Sequence, residues 1–137
     1  MACSNHRIAR DFITAFFDGT LTEDFLTPDV TVWTTLGPLA EKAAYVSTVK
    51  QIISLFEGGA GSFDYIIDAI TAEEDRAVVE MHAKGTFPDG TDYENAYVFV
   101  LRIRDGRIAS VAEHFNPIPA LEKLFPRLES PPPLEKA

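Results

Sequence analysis

Residues 93–116 constrain this chain more than any other stretch. They read Tyr93-Glu94-Asn95-Ala96-Tyr97-Val98-Phe99-Val100-Leu101-Arg102-Ile103-Arg104, then Asp105-Gly106, then Arg107-Ile108-Ala109-Ser110-Val111-Ala112-Glu113-His114-Phe115-Asn116. An Asp-Gly pair supplies the left-handed backbone of a two-residue hairpin turn, so the β-rich runs around it pair antiparallel. Two more β-rich runs precede it, residues 63–71 and 77–87. They are joined to each other by Glu73-Glu74-Asp75 and to the next run by Pro88-Asp89-Gly90. Such short links join antiparallel neighbours, which gives four strands in a row.

The first half of the chain is helical. Ile8, Phe12 and Phe16 recur at helical spacing with Ile13 and Phe17 beside them, which predicts a helix over residues 5–17 ended by Gly19. Thr20 and Glu23 have capping-box spacing, so a short helix is expected over 21–26, stopping before Pro28. Residues 30–35, with Trp33 among β-branched neighbours, read as a short strand, and Gly37-Pro38 as a turn. Tyr45, Val46, Val49, Ile53 and Phe56 form the apolar face of a helix over 41–56. The Gly58-Gly59-Ala60-Gly61 stretch follows that helix instead of opening one after a strand, so it is a loop and not a phosphate cradle. Residues 120–125 suggest a last helical turn or two. Segregated helices covering a sheet make an α+β domain, placed at residues 1–128, with a disordered Pro-rich tail at 129–137.

Composition narrows the function classes. The chain has 137 residues and 21 Asp and Glu against 12 Lys and Arg, a net charge of −9. That sign argues against nucleic acid and anionic membranes as partners. The one cysteine, Cys3, leaves no intramolecular disulfide, and no apolar run approaches the ~20 residues of a membrane span. A cytoplasmic location is the expectation. Three scattered His and one Cys lack metal-ligand spacing, so no metal and no cofactor are expected.

The chemistry-bearing residue is Glu113, a carboxylate between Val111 and Phe115 in an apolar row. Desolvation there favours the neutral acid and raises the pKa toward the range of a general acid–base. The bland alternative is a surface glutamate, or one paired with Arg102. If the Asp105-Gly106 loop has two residues and the pairing runs on without interruption, Val98 opposes Glu113 and Ala96 opposes Phe115. If Pro88-Asp89-Gly90 is a three-residue loop, His82 opposes Ala96 and Glu80 opposes Val98. One face then carries Glu80 and His82 on one side of Val98 and Ala96, with Glu113 and Phe115 on the other. Strand spacing puts these flanking groups ~10 Å apart. Asn95, Tyr97, His114 and Asn116 fall on the opposite face, as an alternative pocket or a dimer surface. A one-residue slip would reverse every assignment.

The Tyr-x-Asn-x-Tyr strand at Tyr93, Asn95 and Tyr97, the Asp-Gly hairpin and the Glu113-His114-Phe115-Asn116 end resemble the polyketide-cyclase-like, or SnoaL-like, branch of the nuclear transport factor 2-like superfamily. The resemblance runs from the first helix to Asn116. It implies a cone: a curved antiparallel sheet with helices packed on its concave face, around a pocket for a small apolar molecule, in a homodimer formed through the sheet, the arrangement cyclic symmetry favours. A weaker similarity links the chain to ketosteroid isomerase and limonene-epoxide hydrolase. The polar positions of the latter fall here on Trp33, Thr35, Glu80, His82 and Glu113, of which only Glu113 keeps the acidic chemistry. The resemblance thus implies Glu113 as acid or base with His82 as helper, and a pocket that includes Trp33, Tyr45, Glu80, Val98 and Phe115. Two functions follow. One is a cofactor-independent enzyme that isomerises, cyclises, dehydrates or hydrates a small molecule. The other is a non-catalytic binding or dimerisation module of the same shape.

Overall fold

A computed structural model describes residues 2–39 and 41–128; the expected tail at 129–137 lies outside the described residues. Helix α1 (Ala2–Asp18) forms on the predicted stripe, and Ala9, Phe12, Ile13, Phe16 and Phe17 are all buried. Gly19 ends it at φ +76°, and Thr20 N–H donates to the Ala15 carbonyl at 2.9 Å. This is the Schellman closure, in which a left-handed residue lets the chain leave the helix while an orphan carbonyl is satisfied.

The helix expected over 21–26 is reduced to a 3₁₀ turn, Glu23–Phe25. Strand β1 (Leu26–Thr34) starts earlier than expected, because fully buried Leu26 already pairs with Ile108. Pro28 lies within this strand where the register with its neighbour is interrupted, between Leu26 and Thr31, a place that tolerates a missing N–H. Gly37-Pro38 does turn the chain, but it also opens a short edge strand, β2 (Gly37–Leu39), that folds back on β1. Helix α2 (Lys42–Ser54) buries Tyr45, Val46, Val49 and Ile53.

The remaining strands are β3 (Ser62–Glu73), β4 (Arg76–Thr86), β5 (Asp92–Arg104) and β6 (Arg107–Phe115). The six form one curved, unclosed sheet in the order β2-β1-β6-β5-β4-β3. The β3-β4-β5-β6 meander is antiparallel as expected, and β1 adds to β6 in parallel. Buried and exposed residues alternate strictly along β4 and β5, the signature of a sheet with one covered and one wet face. The covered face of β4 carries Ala77, Val79, Met81 and Ala83, and that of β5 carries Tyr93, Asn95, Tyr97, Phe99 and Leu101. Both helices pack on this face, with Phe16 and Phe17 of α1 edge-on to Phe99. After β6 the chain closes with α3 (Pro117–Pro119), a π turn (Ala120–Leu124) and a 3₁₀ turn (Phe125–Arg127).

Both hairpin loops have the expected lengths. Asp105 and Gly106 have φ +55° and +77°, and Arg104 pairs with Arg107. Phe87 N–H donates to the Thr91 carbonyl at 2.8 Å around the three-residue loop, His82 pairs with Ala96 and Glu80 with Val98. The register of β6 nevertheless departs from expectation. Ile103 pairs with Ile108, but Arg102 pairs with Ser110, leaving Ala109 as an extra residue. Beyond this β-bulge the partner of Glu113 is Phe99, not Val98, and the partner of Phe115 is Tyr97, not Ala96. Every side chain from Ser110 onward is turned to the opposite face from the one an uninterrupted ladder would give it.

Gly85, buried near the end of β4, marks a close approach. A Cβ there would lie 2.7 Å from the Phe56 ring and 2.9 Å from the Ser62 carbonyl. Its absence lets Phe56 lie flat against the sheet between Phe63 and Phe87. Gly85→Ala is therefore expected to destabilise the fold by about 1–3 kcal/mol, the usual range for overpacking. Urea unfolding midpoints measure it, and an unchanged midpoint would contradict this packing.

Candidate functional site

Glu113 owes its position to the bulge. Ile108, Val111 and Glu113 are buried on the covered face, and half-buried Phe115 follows in the same row. Thr34 of β1 pairs with Glu113 on one side and Phe99 of β5 on the other. The Tyr45 hydroxyl, delivered by α2, donates to Glu113 Oε1 at 3.4 Å. Arg102 lies elsewhere, 3.4 Å from Asp75 at the surface. Among the described residues Glu113 is the one buried carboxylate. Burial pushes its pKa up to about 7, and the Tyr45 hydrogen bond offsets part of that rise.

A second set of hydroxyls stands beside it. Tyr93 and Tyr97 share a hydrogen bond at 2.8 Å. Asn95 Nδ2 donates to the Tyr93 hydroxyl at 3.0 Å and to the Asn116 carbonyl at 2.9 Å, while Asn116 N–H donates back to Asn95 Oδ1 at 3.0 Å. Burial raises the pKa of Tyr45 and Tyr97 well above the phenol range and that of Tyr93 less, and the nearby Glu113 charge adds to each. All three stay protonated donors at neutral pH.

Glu113 borders two cavities of about 60 Å³ each. One is aromatic, walled by Phe17, Phe56, Phe63, Tyr93 and Tyr97, and the other is walled by Tyr45, Val49, Leu39, Thr34 and Thr48. Each is far smaller than the ~300 Å³ at which pockets for drug-sized ligands begin.

The structure splits the expected site residues. Glu113, Tyr45 and Phe115 come together at the cavities, and Tyr97, expected on the other face, joins them there, while Asn95 is buried behind it and bonded to the Tyr93 hydroxyl. His82, Glu80 and Val98 lie on the outer face, so neither His82 nor Glu80 approaches Glu113. His82 Nδ1 instead meets Asp68 Oδ2 at 2.8 Å, with both side chains about half exposed. Trp33 is 43% exposed on that outer face, its ring 4.9 Å from that of His114. Asn116 sits at the sheet's end, where its side chain caps α3 by accepting from Ile118 N–H at 3.1 Å. Asn95 and Tyr97 are buried inside the cone, whereas Trp33, Val98 and Ile66 are exposed apolar residues of the outer sheet face. Tyr93 and the C-terminal Leu124 and Phe125 were missed as site residues. The i, i+2, i+4 pattern of Tyr93, Asn95 and Tyr97 signals the first. Nothing in a Pro-broken segment without helical periodicity signals the other two.

The SnoaL-like domain model matches residues 9–111, three quarters of the chain. The chain belongs to the SnoaL-like domain family. The matched stretch stops two residues before Glu113. No curated protein sequence is significantly similar to the chain. Among solved structures, AclR from Streptomyces galilaeus, assigned as a hydroxylase, is similar with a TM-score of 0.75 at 19% identity, over 90% of this chain and 97% of that one. An LEH-like epoxide hydrolase from M. tuberculosis has a TM-score of 0.69 at 16% identity, over 90% of both chains. A protein of Jannaschia sp. CCS1 assigned as a SnoaL-like polyketide cyclase has 0.73 at 12%, over 90% and 93%. At these identities the likeness establishes the fold shared by SnoaL-like and other nuclear transport factor 2-like proteins, not a shared activity.

The raised pKa of Glu113 has a thermodynamic consequence. The folded protein holds this proton up to about pH 7, whereas an unfolded glutamate releases it near its model value of 4.5. Its contribution to stability is therefore full below pH 4.5 and lost as pH rises to 7. Glu113→Gln removes that dependence. The stability of the wild type relative to Glu113→Gln should fall by roughly 3 kcal/mol between pH 4 and pH 8, as measured by urea unfolding.

Proposed function

We propose that this SnoaL-like protein is an enzyme that moves protons on a small, mostly apolar molecule held in the cone, with Glu113 as its general acid–base. The observation that carries the reading is a buried carboxyl with a pKa of about 7 bordering both cavities. Such a group is divided between acid and base at neutral pH, where proton transfer in either direction is most efficient. As carboxylate, Glu113 removes a proton from carbon next to a carbonyl. As the resulting acid, it returns the proton to another atom of the same molecule, which completes an isomerisation. The same two steps enclose a ring closure when a carbon–carbon bond forms between them, or a dehydration when hydroxide leaves with the returned proton. A tyrosine hydroxyl beside the ligand oxygen stabilises the enolate as its charge develops. His82 has no part in this scheme, and no cofactor is invoked.

The scheme needs one carboxylate, which matches an inner β4 face of Ala77, Val79, Met81, Ala83 and Gly85, none of them titratable. A non-catalytic binding module is the second reading, favoured by the small cavities. Both are tested by incubating the protein with small ketones such as cyclopentanone and cyclohexanone in D₂O and following exchange of the protons beside the carbonyl by NMR. The enzyme reading predicts catalysed exchange that rises with pH through about 7 and drops about 10²–10⁴-fold in Glu113→Gln. Exchange that is unaffected by the substitution would refute the role of Glu113, and bound ketone with no exchange would favour the binding module.

A further inference from the structure

Five residues border both cavities: Phe16, Ile52, Glu113, Phe115 and Phe125. Residues common to both mark where the two cavities adjoin. Four are fixed by the cone itself, Phe16 by α1, Ile52 by α2, and Glu113 and Phe115 by β6. Phe125 alone comes from the C-terminal segment, which belongs to no sheet and changes from an α turn to a π turn to a 3₁₀ turn within residues 117–127.

The polar contacts that fasten that segment lie at its rim. Asn116 caps its start. Lys123 Nζ donates to the Asp92 carbonyl at 2.7 Å, and Arg127 donates to Asp89 at 2.9 Å while its guanidinium lies 3.9 Å over the Phe87 ring. Ala120 and Leu124 are buried in one cluster with Phe56, Phe87 and Tyr93, whereas Ile118 and Leu121 are 60% and 50% exposed. Phe125 itself is only partly buried. Its ring packs against the cluster around Phe56, Phe87 and Tyr93 without being one of its buried members, and the segment's polar anchor points, Lys123 and Arg127, lie on either side of it.

We propose that Phe125 is the residue that sets substrate size: its ring divides the space around Glu113 into an aromatic and an aliphatic lobe, and removing the ring joins them. This rests on the proposed site only in taking Glu113 as its centre, and the consequence is read in binding without turnover. With the ring present, two lobes of about 60 Å³ each leave room for a one-ring molecule at most. With the ring absent, a molecule twice as long spans both lobes with its middle at Glu113. A flat apolar partition discriminates by one or a few methylenes, which is worth roughly 10–200-fold per step.

The test measures dissociation constants of cyclohexanone, a one-ring ketone, and 2-decalone, a two-ring ketone, by NMR shift titration of the full chain. The wild type is expected to favour cyclohexanone by about tenfold or more. Phe125→Ala should tighten 2-decalone by about tenfold or more and abolish or reverse that preference. Phe125→Leu, which keeps an apolar side chain if the alanine variant does not fold, should move the ratio in the same direction by less. Leu121→Ala, on the exposed side of the same segment, should bind both as the wild type does. An unchanged ratio in folded Phe125→Ala or Phe125→Leu, an equal change in Leu121→Ala, or no binding of either ketone by any of these proteins would overturn the proposal. The acid–base reading fails separately: Glu113→Gln then leaves proton exchange intact while the Phe125 ratios still shift.

Discussion

One unpaired residue in β6, Ala109, decides what this protein holds at its centre. The ladder with β5 runs from Arg104–Arg107 to Ile103–Ile108 and resumes at Arg102–Ser110. Without that extra residue, Val111 would face outward and Glu113 would stand in solvent beside Val98 and Glu80. With it, Val111 joins the core and the carboxyl is carried inside. An isolated buried charge is costly, and the group responds by keeping its proton. The Tyr45 hydroxyl contributes only a long hydrogen bond, so the neutral acid is the form the fold accommodates best near and below neutrality. The burial of apolar residues along the rest of β6 and β5 holds the register in place against that cost.

The interior polar groups are connected to the cone's closure. Tyr97, Tyr93, Asn95 and Asn116 form one hydrogen-bonded chain from the cavity to the end of β6. Asn116 then caps the segment that carries Leu124 and Phe125. A ligand oxygen that takes a hydrogen bond from Tyr97 thus touches the first member of a chain whose last member fixes the start of the cap. The outer face is built differently: its titratable pair, His82 with Asp68, is half exposed and screened by solvent.

Much of the fold was legible in the sequence because its signals were periodic or local. The Phe12–Phe16 stripe marked α1, and Asp105-Gly106 and Pro88-Asp89-Gly90 set both loops. The failures came where the period breaks. Ile108 and Val111 are three residues apart, an odd spacing on one face of a strand, and that was the available trace of the bulge. Read as a continuous ladder, the row brought His82, Glu80 and Val98 to Glu113 and sent Asn95 and Tyr97 away, the reverse of the observed arrangement. Leu26 entered a strand despite a capping-box spacing, because its pairing with Ile108 and complete burial outweigh a local preference for helix. Gly37-Pro38 hid a three-residue strand that only its partner β1 defines. The choice of Glu113 itself needed no register, since a carboxylate between Val111 and Phe115 is anomalous on either face.

The central claim is that the fold holds Glu113 as a buried acid poised near neutrality. The most direct measurement is a pH titration of its side-chain carboxyl by ¹³C NMR, assigned by its absence in Glu113→Gln. The account predicts a midpoint near pH 7, moving higher in Tyr45→Phe as the hydrogen bond to the carboxylate is lost. A midpoint in the ordinary glutamate range, about 4.3, would contradict it.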